Sequence, residues 1–174
     1  KTPFYIYSEN QIIYNFIKFK NIFKKTDPLI CFAAKSNSNV QILKVLGKLG
    51  AGVDVVSGGE LLKALKAGIK PKKIVFSGVG KTEEELKIAI NKNILLINCE
   101  SESEALLVNN IGKRLKKHVS IGFRLNPNID AKTHKKISTG KAENKFGLSI
   151  KSFKSFLKKI NSLKNVRLNA LSVH

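Results

Sequence analysis

The sequence contains no run of about eighteen apolar residues, the length that a membrane-spanning helix needs. Its first residues also lack the apolar segment and the small-residue cleavage site of a secretory signal peptide. Cysteine is scarce: Cys31 and Cys99 each lie in an apolar run, without the spacing of metal ligands or of a disulfide framework. We therefore expect a cytoplasmic protein with two buried thiols, no metal site and no membrane partner.

Acidic residues and arginine are scarce as well. The 32 lysines and arginines outnumber the 12 acidic residues and give a formal net charge of +20, which is typical of nucleic-acid-binding proteins. However, the arginines are only Arg114, Arg124 and Arg167, and base recognition relies on the bidentate contacts of arginine. The lysines form no basic stripe interleaved with aromatic residues. We expect no nucleic-acid partner, and a basic nucleic-acid-binding protein stays an alternative.

Apolar runs of the length of strands recur along the chain, at 29–34, 53–57, 73–77, 94–98, 118–125 and 166–173. Helical spacing of apolar residues fills the intervals, at 39–49, 58–67, 82 onward, 101–111 and 151–160. Thr82 with Glu85, and Ser101 with Glu104, match the capping-box signature of a helix start. Such apolar strands indicate a parallel sheet that is covered on both faces. No dinucleotide-binding glycine motif follows the first strand, which favours a TIM-type (β/α)8 barrel over a Rossmann sheet.

Six strands are too few to close an eight-stranded barrel. The sequence therefore predicts an α/β fold that is only the N-terminal part of a barrel, with about six βα units. We place this partial barrel at 29–174. Residues 1–28 are expected to lead into it through a short strand at 4–7 and an amphipathic helix. Residues 126–147 lack apolar periodicity and are expected to form a long functional loop.

Polar residues follow the predicted strands, at the edge where a barrel enzyme carries its chemistry. They are Lys35 after the first strand, Asp54 and Glu60 at the second, Arg124 and Asn126 at the fifth, and His174 at the sixth. A lysine amine at a strand end can act as a nucleophile, and desolvation makes it lose its proton more readily. Together these groups can hold an anionic cofactor and an amino-acid substrate. Residues 77–81 resemble a phosphate-binding loop, but the Walker pattern is absent.

Several motifs, in the right order, resemble the fold-type III pyridoxal-phosphate decarboxylases. Residues 32–39, which include Lys35, are similar to the pyridoxal-lysine motif of that family, and segments 50–61 and 74–81 follow in register. Segments 124–127 and 133–140, together with Lys145-Phe146-Gly147, are most similar to the diaminopimelate decarboxylases within it. The resemblance extends over nearly the whole chain.

The resemblance implies pyridoxal 5′-phosphate as cofactor and decarboxylation of meso-2,6-diaminopimelate to L-lysine and carbon dioxide, a step of lysine biosynthesis. It implies that Lys35 carries the cofactor covalently and that His174 stacks on the pyridine ring as a second catalytic and cofactor-binding residue. The polar shell around lysine and ring would be Asp54, Glu60 and Arg124, with Asn126, Ser138 and Lys145 as wall or loop residues. Family members also carry a C-terminal β-domain, absent from this sequence, and form homodimers with shared active sites.

Three further alternatives stay open. The same scaffold and cofactor serve decarboxylases of ornithine or arginine, and also racemases, although segment 137–140 favours diaminopimelate. A non-catalytic regulatory relative is the third alternative. The presence of Lys35, Arg124 and His174 argues against it, because a decayed site is free to lose such residues.

Overall fold

Strands and helices alternate along the chain in the computed structural model, which describes residues 2–127 and 146–174. The helices are α1 (Glu9–Ile22), α2 (Val40–Lys48), α3 (Gly58–Lys66), α4 (Glu83–Asn91), α5 (Glu102–Leu115) and α6 (Ile150–Ile160). The strands are β1 (Cys31–Ala33), β2 (Gly52–Val55), β3 (Ile74–Phe76), β4 (Leu96–Cys99), β5 (Val119–Asn126), β6 (Leu148–Ser149) and β7 (Val166–Ser172). The six strands predicted for the barrel lie within a few residues of their expected positions, and β6 is a short addition.

The strands form one parallel sheet. Strands β1 to β5 are neighbours in chain order, β7 pairs with β5, and β6 pairs with the end of β5. This arrangement confirms the α/β prediction of a partial TIM-type barrel. Because all strands run the same way, the segments that follow them meet at one edge of the sheet, and this edge positions the site.

One face of the sheet is packed beneath the helices. Val53, Val55, Phe76 and Phe123 are fully buried there. The alternate residue of β2, Asp54, points to the other face and is only half-buried. The expectation that the strands are covered on both faces is therefore met only in part, because the described strands form an open sheet whose second face stays accessible.

The segment before β1 differs from its prediction in one respect. Helix α1 is present, and Ile12 and Phe16 pack against a small cluster that includes Ile42 and Leu46. The strand predicted at 4–7 is not formed within the described residues: residues 4–7 are exposed and pair with no other described backbone. Among the described residues, no helix is both long and apolar enough to cross a membrane.

The capping box predicted for α4 is present. The Thr82 side chain accepts a hydrogen bond from the backbone N–H of Glu85, and the Glu85 carboxylate accepts one from the backbone N–H of Thr82. That carboxylate also accepts a hydrogen bond of 2.6 Å from the backbone N–H of Gly58, at the start of α3. The backbone donors of Thr82 and Gly58 hold the pKa of Glu85 below its usual value. Glu85 thereby ties the start of α4 to that of α3.

Helices α3 and α5 begin with a variant of this motif. Each has a serine N-cap and a glutamate three residues later, but the carboxylate accepts from the residue before the cap. The N–H of Val56 donates to Glu60 Oε2 at 2.8 Å, and the N–H of Glu100 donates to Glu104 Oε2 at 2.8 Å. The signature at Ser101 thus marks the helix start correctly, although its bonds are not those of a reciprocal box.

The buried side chain of Lys81 joins three elements near the ends of the strands. Its side chain is fully buried, and its ammonium donates to the carbonyl oxygens of Gly78 and Asn98 and to Glu104 Oε1, the last at 2.7 Å. These acceptors belong to the segment after β3, to β4 and to α5. All three donors of the ammonium are used, so Lys81 acts as a tie between elements and not as a free ligand for phosphate.

Replacing Lys81 with methionine should lower the free energy of unfolding by about 3–5 kcal/mol, because the buried Glu104 carboxylate would lose its partner. The measurement is urea unfolding of the complete gene product that carries this sequence. Lys87→Met is the matched control, since Lys87 is 39% exposed in its pair with Glu83 and its removal should cost less than about 1 kcal/mol. Equal losses of unfolding free energy in the two variants would contradict the role of Lys81 in joining these elements.

Candidate active site

The carboxyl ends of the strands surround one cavity of about 760 Å³. Four of the predicted site residues line it: Lys35, Asp54, Arg124 and His174. They come from four different strands, and the parallel order of the sheet is what brings them together. Sequence reasoning from the strand ends therefore located the cavity.

Lys35 lies in a short 3-10 turn, Ala34–Ser36, directly after β1. The Ser36 hydroxyl donates to the carbonyl oxygen of Ala33 at 2.8 Å, and Ala34 is fully buried, so the turn is held on both sides of the lysine. The side chain of Lys35 is exposed and makes no hydrogen bond or ion pair with any residue of the described ranges. The expected burial of the amine is not met within the described residues, because their open sheet leaves the cavity accessible to water.

Asp54 forms the acidic wall beside β1. Its Oδ1 accepts a hydrogen bond of 2.6 Å from the Ser77 hydroxyl, which fixes the carboxylate between β2 and β3. Burial, and then the charge of Asp54, raise the pKa of the Cys31 thiol to about 11. Burial also raises the pKa of Cys99. Both are free thiols, and burial favours their protonated form, so Cys31 lines the cavity as a neutral group.

Arg124 is held from three sides. Its Nη1 donates to Glu100 Oε1 at 3.4 Å, and its guanidinium carbon lies 5.7 Å from the centre of the Phe146 ring. The backbone of Gly147 passes so close that an added Cβ would lie 2.6 Å from the carbonyl oxygen of Arg124. Only glycine suits this position, since its φ is also +93°.

Sequence reasoning missed two buried polar residues of the cavity, Asn98 in β4 and Glu100 directly after it. Both are buried polar side chains, with 6% and 8% of their surface exposed. The signal was present, because residues 98–100 follow an apolar strand as Lys35 does. Glu100 Oε2 has no hydrogen-bond partner among the described residues, which is costly for a buried carboxylate.

Asn98 reaches across the sheet. Its amide nitrogen donates to the hydroxyl of Ser172, on β7, at 2.7 Å. The two side chains meet above β5, where Gly122 leaves the room: an added Cβ there would lie 3.1 Å from Asn98 Oδ1. This bond joins β4 to β7 on the cavity side, next to the end of the chain that carries His174.

The remaining predicted residues lie elsewhere. The Glu60 carboxylate accepts from the backbone of Val56 and does not line the cavity, so its role in cofactor binding stays a prediction. Asn126 ends β5, where it pairs with Ser149 of β6, and it is not among the lining residues either. Ser138 and Lys145 fall outside the described residues.

Gly147→Ala should destabilise the protein and displace Arg124, because the new methyl group meets a carbonyl oxygen and the backbone keeps a positive φ. The matched control is Gly68→Ala, whose φ is +82° but whose added Cβ has no atom within 4 Å. Backbone strain alone should cost about 1–3 kcal/mol at Gly68, and the contact should add about 1–3 kcal/mol at Gly147. Urea unfolding of the complete gene product measures both. Equal losses would show that the contact with Arg124 does not matter.

Comparison with known proteins points in one direction. A family model described as the pyridoxal binding domain of pyridoxal-dependent decarboxylases matches residues 9–174. A diaminopimelate decarboxylase of Helicobacter pylori (strain J99) is 49% identical over 100% of this chain and 42% of that protein. One of Aquifex aeolicus is 44% identical over 99% of this chain and 41% of that protein. The chain thus spans about two fifths of the length of these curated relatives.

The fold comparison agrees with the sequence comparison. The crystal structure of diaminopimelate decarboxylase from Helicobacter pylori, complexed with L-lysine, superposes with a TM-score of 0.95 at 45% identity. The match covers 100% of this chain and 44% of that chain. With a pyridoxal-binding family model over most of its length and a lysine at the mouth of a partial barrel, this chain belongs to the pyridoxal-dependent decarboxylases.

Proposed function

We propose that this chain is the lysine-bearing part of an enzyme that removes carbon dioxide from meso-2,6-diaminopimelate to give L-lysine. The observation that carries the proposal is the position of Lys35. It follows β1 directly, makes no bond within the described residues, and lines a cavity with Asp54, Arg124 and His174. An unengaged amine among an acid, a guanidinium and an imidazole suits carbonyl chemistry on an amino acid.

The cavity suits pyridoxal phosphate in size and in the chemistry of its walls. Its volume of about 760 Å³ falls within the range of small-molecule sites. Lys35, Arg124 and His174 provide nitrogen groups for an anionic aromatic cofactor, and Gly78 and Gly80 form a wall without side chains. Lys35 would hold the cofactor covalently. His174 would stack on its ring, while Arg124 and Asp54 would orient it.

Bound pyridoxal phosphate supplies an electron-accepting ring that stabilises the electron pair left behind when a carboxylate departs as carbon dioxide. The residues of the chain then have separate tasks. Lys35 would hold the cofactor until a substrate amine takes its place, and Asp54, fixed by Ser77, would supply a negative charge beside the cationic groups. Glu60 would act at a distance, by holding the turn between β2 and α3 through Val56.

Diaminopimelate is the proposed substrate for two reasons. Relatives that are 44% and 49% identical over nearly the whole chain are diaminopimelate decarboxylases. The motifs at 133–140 and 145–147 resemble that family more than the ornithine and arginine decarboxylases. Asn126, Ser138 and Lys145 would serve as wall or loop residues on this side.

The proposal extends to a homodimer with shared active sites, in the cytoplasm. The described cavity is open, with Lys35 and His174 both exposed, so further protein has to cover it if water is to be excluded during the reaction. Two free cysteines suit a reducing compartment. Light scattering of the complete gene product, loaded with cofactor, should give the mass of two chains, and a monomer that is fully active would contradict shared sites.

Carbon dioxide release tests the activity. The complete gene product with pyridoxal phosphate should release carbon dioxide from meso-diaminopimelate but not from ornithine or arginine. Lys35→Ala should reduce release to background, because no other described residue offers an amine at this position. Lys44→Ala is the control: it removes the same type of side chain from an exposed position of α2 and should leave the rate unchanged.

Each other outcome has a definite meaning. Release from ornithine or arginine would keep scaffold and cofactor but contradict the substrate. No release from any of the three would contradict decarboxylation and favour a racemase or a non-catalytic role. Full activity in Lys35→Ala would contradict the assignment of the reactive lysine.

A further inference from the structure

A buried acid that the proposed chemistry does not use lies next to the cavity. The side chains of Glu100 and Arg124 are only 6% and 18% exposed, and they form an ion pair with 3.4 Å between Oε1 and Nη1. The second oxygen of Glu100 has no hydrogen-bond partner among the described residues. A buried carboxylate with half of its acceptors unused is unfavourable for folding, which calls for a role beyond stability.

The backbone of Glu100 is fixed independently of Arg124. Its N–H donates to Glu104 Oε2 at 2.8 Å, while Glu104 Oε1 takes a hydrogen bond of 2.7 Å from the fully buried Lys81. Lys81 also donates to the carbonyl oxygen of Asn98, two residues before Glu100. Both ends of this short segment are therefore anchored, and the carboxylate has little freedom to move.

Arg124, in contrast, is a long side chain that could adopt many rotamers. The Phe146 ring offers only a flat surface, 5.7 Å from the guanidinium carbon, and Gly147 approaches the stem of the side chain, where an added Cβ would lie 2.9 Å from Cγ. Neither neighbour fixes the position of the guanidinium. Glu100 is the group that bonds the guanidinium itself. An acid on an anchored segment that bonds the guanidinium of a long side chain at a cavity wall is suited to orient that guanidinium.

The geometry points to Glu100 as a positioning residue that aims Arg124 into the cavity, so that the guanidinium is preorganised to bind the anionic cofactor. This inference rests on the proposed function, since it takes pyridoxal phosphate as the ligand. Glu100 acts through Arg124 and does not itself need to touch the cofactor.

A positioning role and a purely electrostatic role for Glu100 predict opposite changes in the affinity for the cofactor. Glu100→Gln removes a negative charge beside the cavity, so charge alone would make an anion bind more tightly. If Glu100 instead orients Arg124, the same variant should weaken binding, because the guanidinium loses its charge-assisted partner. The sign of the change therefore separates the two explanations.

The experiment measures the dissociation constant of pyridoxal phosphate on the cofactor-free complete gene product, by the absorbance of the bound cofactor. Glu100→Gln should weaken binding about tenfold, as the loss of a hydrogen bond to a charged group does. Arg124→Lys keeps the charge but loses the planar guanidinium with its paired donors, so it should weaken cofactor binding at least as much. The double variant should bind no more weakly than Arg124→Lys alone, because Glu100 then has nothing to orient.

Two controls keep the test decisive. Glu102→Gln makes the same change of charge two residues away, on the first turn of α5, and should leave binding unchanged. Glu100→Asp keeps the charge but shortens the side chain, so it should weaken binding less than Glu100→Gln. If Glu100→Gln does not fold, Glu100→Asp replaces it in the double-mutant cycle with Arg124→Lys. Unchanged or tighter binding in Glu100→Gln, or additive losses in the double variant, would overturn the inference.

The wild-type protein separates this inference from the proposed function. If it binds pyridoxal phosphate but releases no carbon dioxide from diaminopimelate, the substrate proposal fails and the binding cycle still tests Glu100. If carbon dioxide is released and Glu100→Gln binds the cofactor as wild type does, the function stands and the role of Glu100 is wrong.

Discussion

The ammonium group of Lys81 is buried without access to water, and the arrangement of the strand ends depends on how it is satisfied. A desolvated charge must find an acceptor for each of its donors, and the acceptors here come from three different elements. The segment after β3, the end of β4 and the first turn of α5 can therefore take only one mutual arrangement. The position of Glu100, and through it that of Arg124, follows from this arrangement.

Acidic residues at the same edge of the sheet serve two purposes. Some bind the backbone of helix starts, and others bind side chains at the cavity. Glu60, Glu85 and Glu104 each accept hydrogen bonds from backbone N–H groups at helix starts, and Glu104 also pairs with the buried Lys81, so these three carboxylates stabilise the fold. Asp54 and Glu100 bind side chains and line the cavity. In a chain with so large an excess of lysine, these two acids supply the negative charge on the described cavity wall.

The sequence allowed the cavity to be predicted, but not all of its residues. Lys35, Asp54, Arg124 and His174 follow apolar strands, and parallel order alone brings such positions together. Glu60 and Glu104 each lie three residues after a serine. This spacing does not show whether such a glutamate caps a helix or binds a ligand. Glu100 also follows an apolar strand, but its pairing with Arg124, 24 residues away in the sequence, could not be predicted from that position. The strand predicted at 4–7 is not formed within the described residues, because a strand needs a neighbouring strand and the apolar pattern of the sequence does not show one.

The helix starts have a consequence for recombination among relatives. Two contacts at the helix starts cross into a neighbouring unit: Glu85 of α4 bonds the backbone of Gly58 in α3, and Lys81, which precedes α4, bonds Glu104 of α5. A single βα unit is therefore not an exchangeable module. A chimaera with a crossover between residues 58 and 85, or between 81 and 104, brings partners from two lineages together. It retains its fold only if both lineages keep the same pair.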